Sequence, residues 1–296
     1  MIQVLIFSLF ANLSFSIGSF YFAIYSRKIS VLWMNAFKAM VCFISLTTFL
    51  MIGSHSFKAS SEEMLYLAAS GFVGLCIGDL FMLEGMKILG GSRIVMMFGL
   101  TPFYTGIGSY FLFQSVLPLG AVYGVICMVL CLFLLSLERY KVSGHWHLRG
   151  IFMGVIAVFL DNIGLILTKF SFTHNPNLNS LEANFFRASG ALLGFAIIHL
   201  FYKRIPLAQE FKALTTGEKT QVLFASFFGA FLSLLLYLKS VSLGHLSVVS
   251  SMAGTGPLFT EIFESIRRRK PPHYLWWFAF VSFNVAIYLF VTSNSK

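Results

Sequence analysis

The chain has 296 residues, of which 57% are hydrophobic and 11% charged, and its formal net charge is +10. Soluble domains carry roughly 25% charged residues, so this composition, with a mean hydropathy of +0.82, is that of a membrane protein and excludes a water-soluble domain. The basic excess does not read as a nucleic-acid surface, because no soluble portion is left to present one; a positive cytoplasmic face accounts for it better.

A helix that crosses the hydrocarbon needs about 20 apolar residues. Apolar runs between polar breaks predict an all-α protein with ten transmembrane helices, over 2–26, 29–52, 64–89, 92–114, 116–137, 148–170, 178–202, 220–243, 246–266 and 273–292. The first run has no basic residue behind Met1 and no small-residue cleavage site after it. It therefore reads as a retained span and not as a signal peptide. The longest connection, 203–219, is too short to be a domain. Cys42, Cys76, Cys127 and Cys131 all fall inside apolar runs with no C-x-x-C spacing, which supports neither a disulfide framework nor a zinc site. The pair His145 and His147 is a weak metal signal, and no metal or cofactor is expected.

Polar residues inside the spans are the informative ones, because a charge in the hydrocarbon costs several kcal/mol unless it faces a cavity or a partner. In chain order they begin with Asn12 in span one, Asn35 and Lys38 in span two, and Asp79 and Glu84 in span three. Asp161 follows in span six, Asn184 and Arg187 in span seven, Lys239 in span eight, and Glu261 and Glu264 in span nine. Pro102 and Pro257 interrupt spans four and nine, each preceded within three residues by a glycine, Gly99 and Gly256, and proline frees a carbonyl and bends a helix. Glu261 and Glu264 stand one turn before Arg267–Lys270, where pairing along the helix is expected. The basic cluster itself is placed against anionic headgroups.

These positions repeat. A shift of 149 residues lays Asn12 on Asp161, Asn35 on Asn184, Phe37 on Phe186, Lys38 on Arg187 and Ala39 on Ala188. A shift of 155 lays Phe72 on Phe227, Gly74 on Gly229, Glu84 on Lys239, Gly99 on Gly254 and Pro102 on Pro257. The ordered set predicts two repeats, 1–142 and 143–296. Five spans in each is an odd number, so the halves must be inverted, a plan on which carriers place their site at the repeat interface.

The polar break Asn12-Leu-Ser-Phe-Ser-Ile-Gly18, the basic Lys38, "FMLEGMKILGGS" closing span three and "GLTPFYTGIGSYFLF" in span four occur in order and then recur. In this the chain resembles the EamA-like family of the drug/metabolite transporter superfamily, over essentially its full length. It departs from the family pattern in lacking a tryptophan-glycine in span one, and in carrying Gln114 and Arg267–Lys270 where glutamates are usual. The resemblance implies a permease or exporter of small metabolites. It also implies both termini inside, whereas loop cations, fifteen on one side against three on the other, put both outside; the orientation stays open.

The residues and the resemblance together predict a secondary transporter, not an enzyme, that moves an amino acid or related carboxylate by alternating access in a bacterial inner or plasma membrane. Its partners would be a small-molecule substrate and membrane lipid, with no nucleic acid, and nothing fixes the oligomeric state. Lys38, Arg187, Asn35, Asn184 and Asn12 are the expected substrate-binding residues. In an empty site the two cations would pair with Asp79 and Asp161. Asp161, Asp79 and Glu84 are candidates to carry a coupling proton, and Pro102 and Pro257 to act as hinges. The alternatives are a multidrug exporter or a sugar-phosphate or nucleotide-sugar carrier, and, in other classes, a membrane-embedded enzyme or a scramblase. No G-x-S-x-G, no H-E-x-x-H and no histidine cluster within a span supports an enzyme.

Overall fold

The computed structural model describes residues 2–53, 57–101, 103–104, 119–145, 147–202, 207–243 and 255–293. Every regular element among them is helical. In the first half α1 spans Ile2–Tyr25, α2 Val31–Ile52, α3 Ser61–Leu89, α4 Gly91–Leu100 and α5 Leu119–Ser143. In the second, α6 spans Leu148–His174, α7 Ser180–Tyr202 and a short α8 Leu207–Ala213. The helix α9 runs through Thr216–Ser226, Phe227–Leu232 and Ser233–Leu243, and α10 (Thr255–Arg268) and α11 (Tyr274–Ser293) follow.

Six of these helices are long and apolar enough to cross a membrane, namely α1, α2, α3, α6, α7 and α9, and α4, α5 and α11 contain shorter apolar stretches. Much of the expected fourth and ninth spans, with Pro102 in the fourth, lies outside the described residues.

The helix starts carry the repeat as clearly as the interior does. Ser30 caps α2 by accepting from the Trp33 N–H, and 149 residues later Asn179 caps α7 by accepting from the Glu182 N–H. Ser60 and Glu63 form a capping box at α3; 155 residues on, Thr215 and Glu218 form the same box at α9. Each box satisfies two N–H groups that a helix start otherwise leaves open.

Directions follow from the contacts. Arg27 Nε donates to the Lys87 carbonyl at 2.9 Å, so α1 and α3 end on the same side. Ser70 Oγ donates to the Gly164 carbonyl at 2.6 Å and Gly85 faces the Gly150 carbonyl, so α6 runs against both. The first helices of the two halves therefore point in opposite directions.

Both third helices are interrupted by a π-helical stretch at equivalent places, Gly71–Gly78 in α3 and Phe227–Leu232 in α9. A π turn breaks the ordinary i→i−4 ladder and frequently accompanies a functional site. Each stretch is crossed closely by helices of the other half. A β-carbon at Gly71 would overlap the backbone carbonyl of Arg187, and α1 meets α9 backbone to backbone at Gly18 and Gly229. Overfilling such a contact forces helices apart at a cost of about 1–3 kcal/mol. Gly71→Ala should accordingly lower the thermal midpoint of the detergent-purified protein and weaken substrate binding together, because the displaced segment carries Arg187. An unchanged midpoint would show that the crossing can relax.

Candidate functional site

A cavity of about 180 Å³ lies between the halves, walled by α1, α2, α3, α4, α6, α7, α9 and α11. Most of its wall is apolar, with Phe15, Phe22, Phe98 and Tyr237 the large rings. Four charged side chains reach it: Lys38, Asp79, Asp161 and Arg187. Two cations and two anions make the set formally neutral.

The two cations are treated differently. Lys38, from α2, is buried and its Nζ pairs with Asp79 Oδ2 of α3. Its ammonium also sits 5.5 Å from the centre of the Phe22 ring, a distance at which a cation gains from the ring face. Arg187, from α7, is 2% exposed, yet among the described residues it has no acid within 4.0 Å and its Nε has no hydrogen-bond partner. Asp161 is the nearest acid across the gap. A β-carbon placed on Gly74 would be 3.6 Å from Asp161 Oδ1 and 3.9 Å from Arg187 Nη2, so the glycine leaves the two groups facing one opening. Of the two ion pairs expected for an empty site, one is formed and the other is open.

The repeat supplies the reason. The shift of 155 that relates α3 to α9 puts Leu234 where Asp79 stands in the first half. Leu234 lines the cavity too, but it has no charge to give. Arg187 is the symmetry mate of Lys38 without a mate for Asp79.

The other expected site residues are placed as follows. Asn12 lines the cavity on α1, its Nδ2 donating to the Ser8 carbonyl at 2.9 Å. Asn35 and Asn184 do not line it. Asn35 Nδ2 donates to the carbonyls of Leu75 and Cys76, at 3.2 and 2.9 Å, within the π stretch of α3. Asn184 Nδ2 donates to the Ser180 carbonyl at 3.0 Å and to the Leu234 carbonyl at 3.2 Å, just past the π stretch of α9. They are positioning residues: each ties its half's second helix to the irregular segment of the third. Glu84 is drawn to the end of α3 by Lys87 and Arg149, each 3.8 Å away, and is outside the cavity. Pro257 is buried in α10, two residues after the first described residue of that helix, and does not line the cavity.

Arg93, counted from sequence among the loop cations, is instead buried at the start of α4, and its guanidinium grips both oxygens of Glu138 on α5. At the same end the halves are tied across. Tyr25 donates to Gln221 at 2.5 Å, Lys28 pairs with Glu218 at 2.5 Å, and the Ser30 N–H donates to Glu210 at 3.2 Å.

Removing one partner of a buried ion pair strands the other charge, at about 3–5 kcal/mol; removing both is often close to neutral. Lys38→Met should fall near the low end, about 3 kcal/mol, since Asp79 keeps 13% of its side chain exposed. Lys38→Met with Asp79→Leu should recover most of that loss in a thermal melt. If the double variant melts as low as the single one, the pair does not act as a unit.

Two halves of opposite direction around a central, charge-bearing cavity define a membrane carrier. The EamA-like transporter family model matches residues 2–137 and 148–292. The chain belongs to the EamA-like transporter family, and is accordingly a multi-pass membrane transporter of the drug and metabolite kind. No curated protein matches it. Among solved structures one chain, described only as a crystal structure of a protein, is similar with a TM-score of 0.66 at 11% identity, over 97% of this chain and 95% of that one. At that identity the likeness concerns the fold alone.

Proposed function

We propose that the protein is a secondary carrier that exports a small carboxylate, of which amino acids are the leading class, by alternating access. It would have ten crossings in two inverted halves that divide near residue 142, and would reside in a bacterial plasma membrane with its basic end in the cytoplasm. The observation that carries this reading is Arg187, a buried guanidinium on the cavity wall with no acid within 4.0 Å among the described residues. Burying an unpaired charge is costly, and a planar carboxylate fits the guanidinium fork with two parallel hydrogen bonds. Asp161, across the same opening, would face the positive end of a zwitterion or accept a proton when the site empties. Lys38 and Asp79 would hold the opposite wall. During transport the ties at Tyr25, Lys28 and Ser30 would have to part, because they join the halves across the basic end.

The test is counterflow in proteoliposomes with a labelled panel: a neutral and an acidic amino acid, a sugar phosphate, and a lipophilic cation. Exchange of the amino acids supports the proposal. Exchange of the lipophilic cation alone would instead make Asp161 and the phenylalanines the site, as in a multidrug exporter.

A further inference from the structure

In each half, the connection between the second and third helices crosses onto the other half, and the two crossings lie at opposite ends of the molecule. At the end remote from the basic face, residues 57–60 of the first half lie against the start of α7. The N–H groups of Lys58 and Ala59 both donate to Glu182 Oε1, at 2.7 and 2.8 Å. Asn175 Nδ2 donates to the Lys58 carbonyl at 2.9 Å and to Glu63 Oε2 at 3.0 Å. The Phe57 ring rests on Phe185 and Phe186, each centre 5.5 Å away.

At the basic end the relation is reversed, and α8 of the second half lies against the start of α2. The Ser30 N–H donates to Glu210 Oε2 at 3.2 Å, and the Phe211 ring stacks on Phe37 and Trp33 at 5.6 and 6.3 Å. Phe37 and Phe186, which receive the two rings, are mates under the shift of 149. Phe57 and Phe211 stand three and four residues before Ser60 and Thr215, which open the matching capping boxes. At both ends the second half supplies the carboxylate, Glu182 or Glu210, and the first half the backbone N–H. The halves clasp each other with equivalent straps, one at each end.

Both straps are shallow. Phe57 keeps 51% of its surface exposed and Lys58 is exposed; in α8, Gln209, Lys212 and Ala213 are exposed. Glu182 beneath the first strap is 1% exposed, and its Oε2 is buried without a hydrogen-bond partner among the described residues. The hydrogen bonds to its other oxygen are charge-assisted and strong while they last. Lifting the segment, however, lets water reach the oxygen that the seated strap leaves unsatisfied. Segments with few buried contacts are the ones that open locally at low cost.

We propose that the two straps are the gates of the carrier. Residues 57–60 close the end remote from the basic face by docking on Glu182, Phe185 and Phe186. The helix α8 closes the basic end by docking on Ser30, Trp33 and Phe37. Each strap joins the halves at one end only, so a rocking motion that opens an end must lift its strap while the other stays seated. This inference rests on the alternating-access reading and is independent of which substrate is carried.

The test uses Cys42, on the cavity wall, as a reporter, with Cys76, Cys127 and Cys131 replaced by alanine. A membrane-impermeant maleimide is applied to spheroplasts, which present one membrane face, and to inverted vesicles, which present the other; no substrate is needed. Glu182→Ala should speed labelling of Cys42 by about 10- to 150-fold from one face only, the change expected when a hydrogen bond to a charged acceptor is lost and opening becomes correspondingly more frequent. Glu210→Ala should do the same from the opposite face only. Phe57→Leu and Phe211→Leu keep apolar bulk but lose the ring contact. They should give smaller increases with the same sidedness, and cover the case in which an alanine variant fails to fold. Labelling unchanged in all four variants, or raised from one shared face or from both faces alike, would overturn the proposal. That result beside normal counterflow would leave the carrier reading intact. Sided labelling without counterflow of any amino acid would support the straps and count against the substrate class.

Discussion

Arg187→Ala should reduce carboxylate counterflow by roughly 30- to 5,000-fold, the range that corresponds to losing about 2–5 kcal/mol when one partner of a buried, hydrogen-bonded charge pair is truncated. The fold should survive, because among the described residues no acid lies within 4.0 Å of the guanidinium, so its loss breaks no formed ion pair. This contrasts with Lys38, whose removal leaves Asp79 buried and uncompensated. A thermal midpoint equal to or above that of the native protein, with exchange abolished, is the expected pair of results. A large fall in the midpoint would mean that Arg187 acts as a structural group.

Leu234→Asp should silence the carrier by the opposite route. It restores to the second half the acid that Asp79 supplies in the first, and offers Arg187 a permanent counter-ion where the substrate carboxylate is meant to bind. Exchange should be lost as completely as in Arg187→Ala, while the midpoint stays level or rises. Leu234→Asn is the control: without the charge it should keep a substantial part of the exchange. Activity retained in Leu234→Asp would show that Arg187 does not meet the substrate, whatever its burial.

Much of this arrangement is legible in the sequence. Lys38 and Arg187 are found as mates from the fragments NAFKA and NFFRA, and both line one cavity with Asp79, Asp161 and Asn12. The five spans read in each half of the sequence predict the inversion, and the packing of α1 against α9 and of α6 against α3 accords with it. The asparagines were harder to place, because a π-helical stretch has no sequence signature. Asn35 and Asn184 look like cavity residues until the carbonyls of Leu75, Cys76 and Leu234 claim them. Glu84 and Arg93 depend on partners that periodicity does not reveal: Arg149 is 65 residues from the one, and Glu138 is 45 residues from the other. The capping boxes at Ser60 and Thr215 were a readable signal of the repeat, with S-x-x-E and T-x-x-E at the same shift as the glycines. So was the absence of an acid at Leu234, which appears only when Asp79 is carried through that shift.

The central claim is that a carboxylate is recognised in the cavity, and the most direct measurement removes it from the substrate. Counterflow in proteoliposomes would compare an exchanged amino acid with its amide and with the corresponding amine, each labelled and at equal concentration. The account predicts exchange of the amino acid and little of either derivative, with the discrimination lost in Arg187→Ala. Equal exchange of the amine would contradict it, and would move recognition from Arg187 to Asp161.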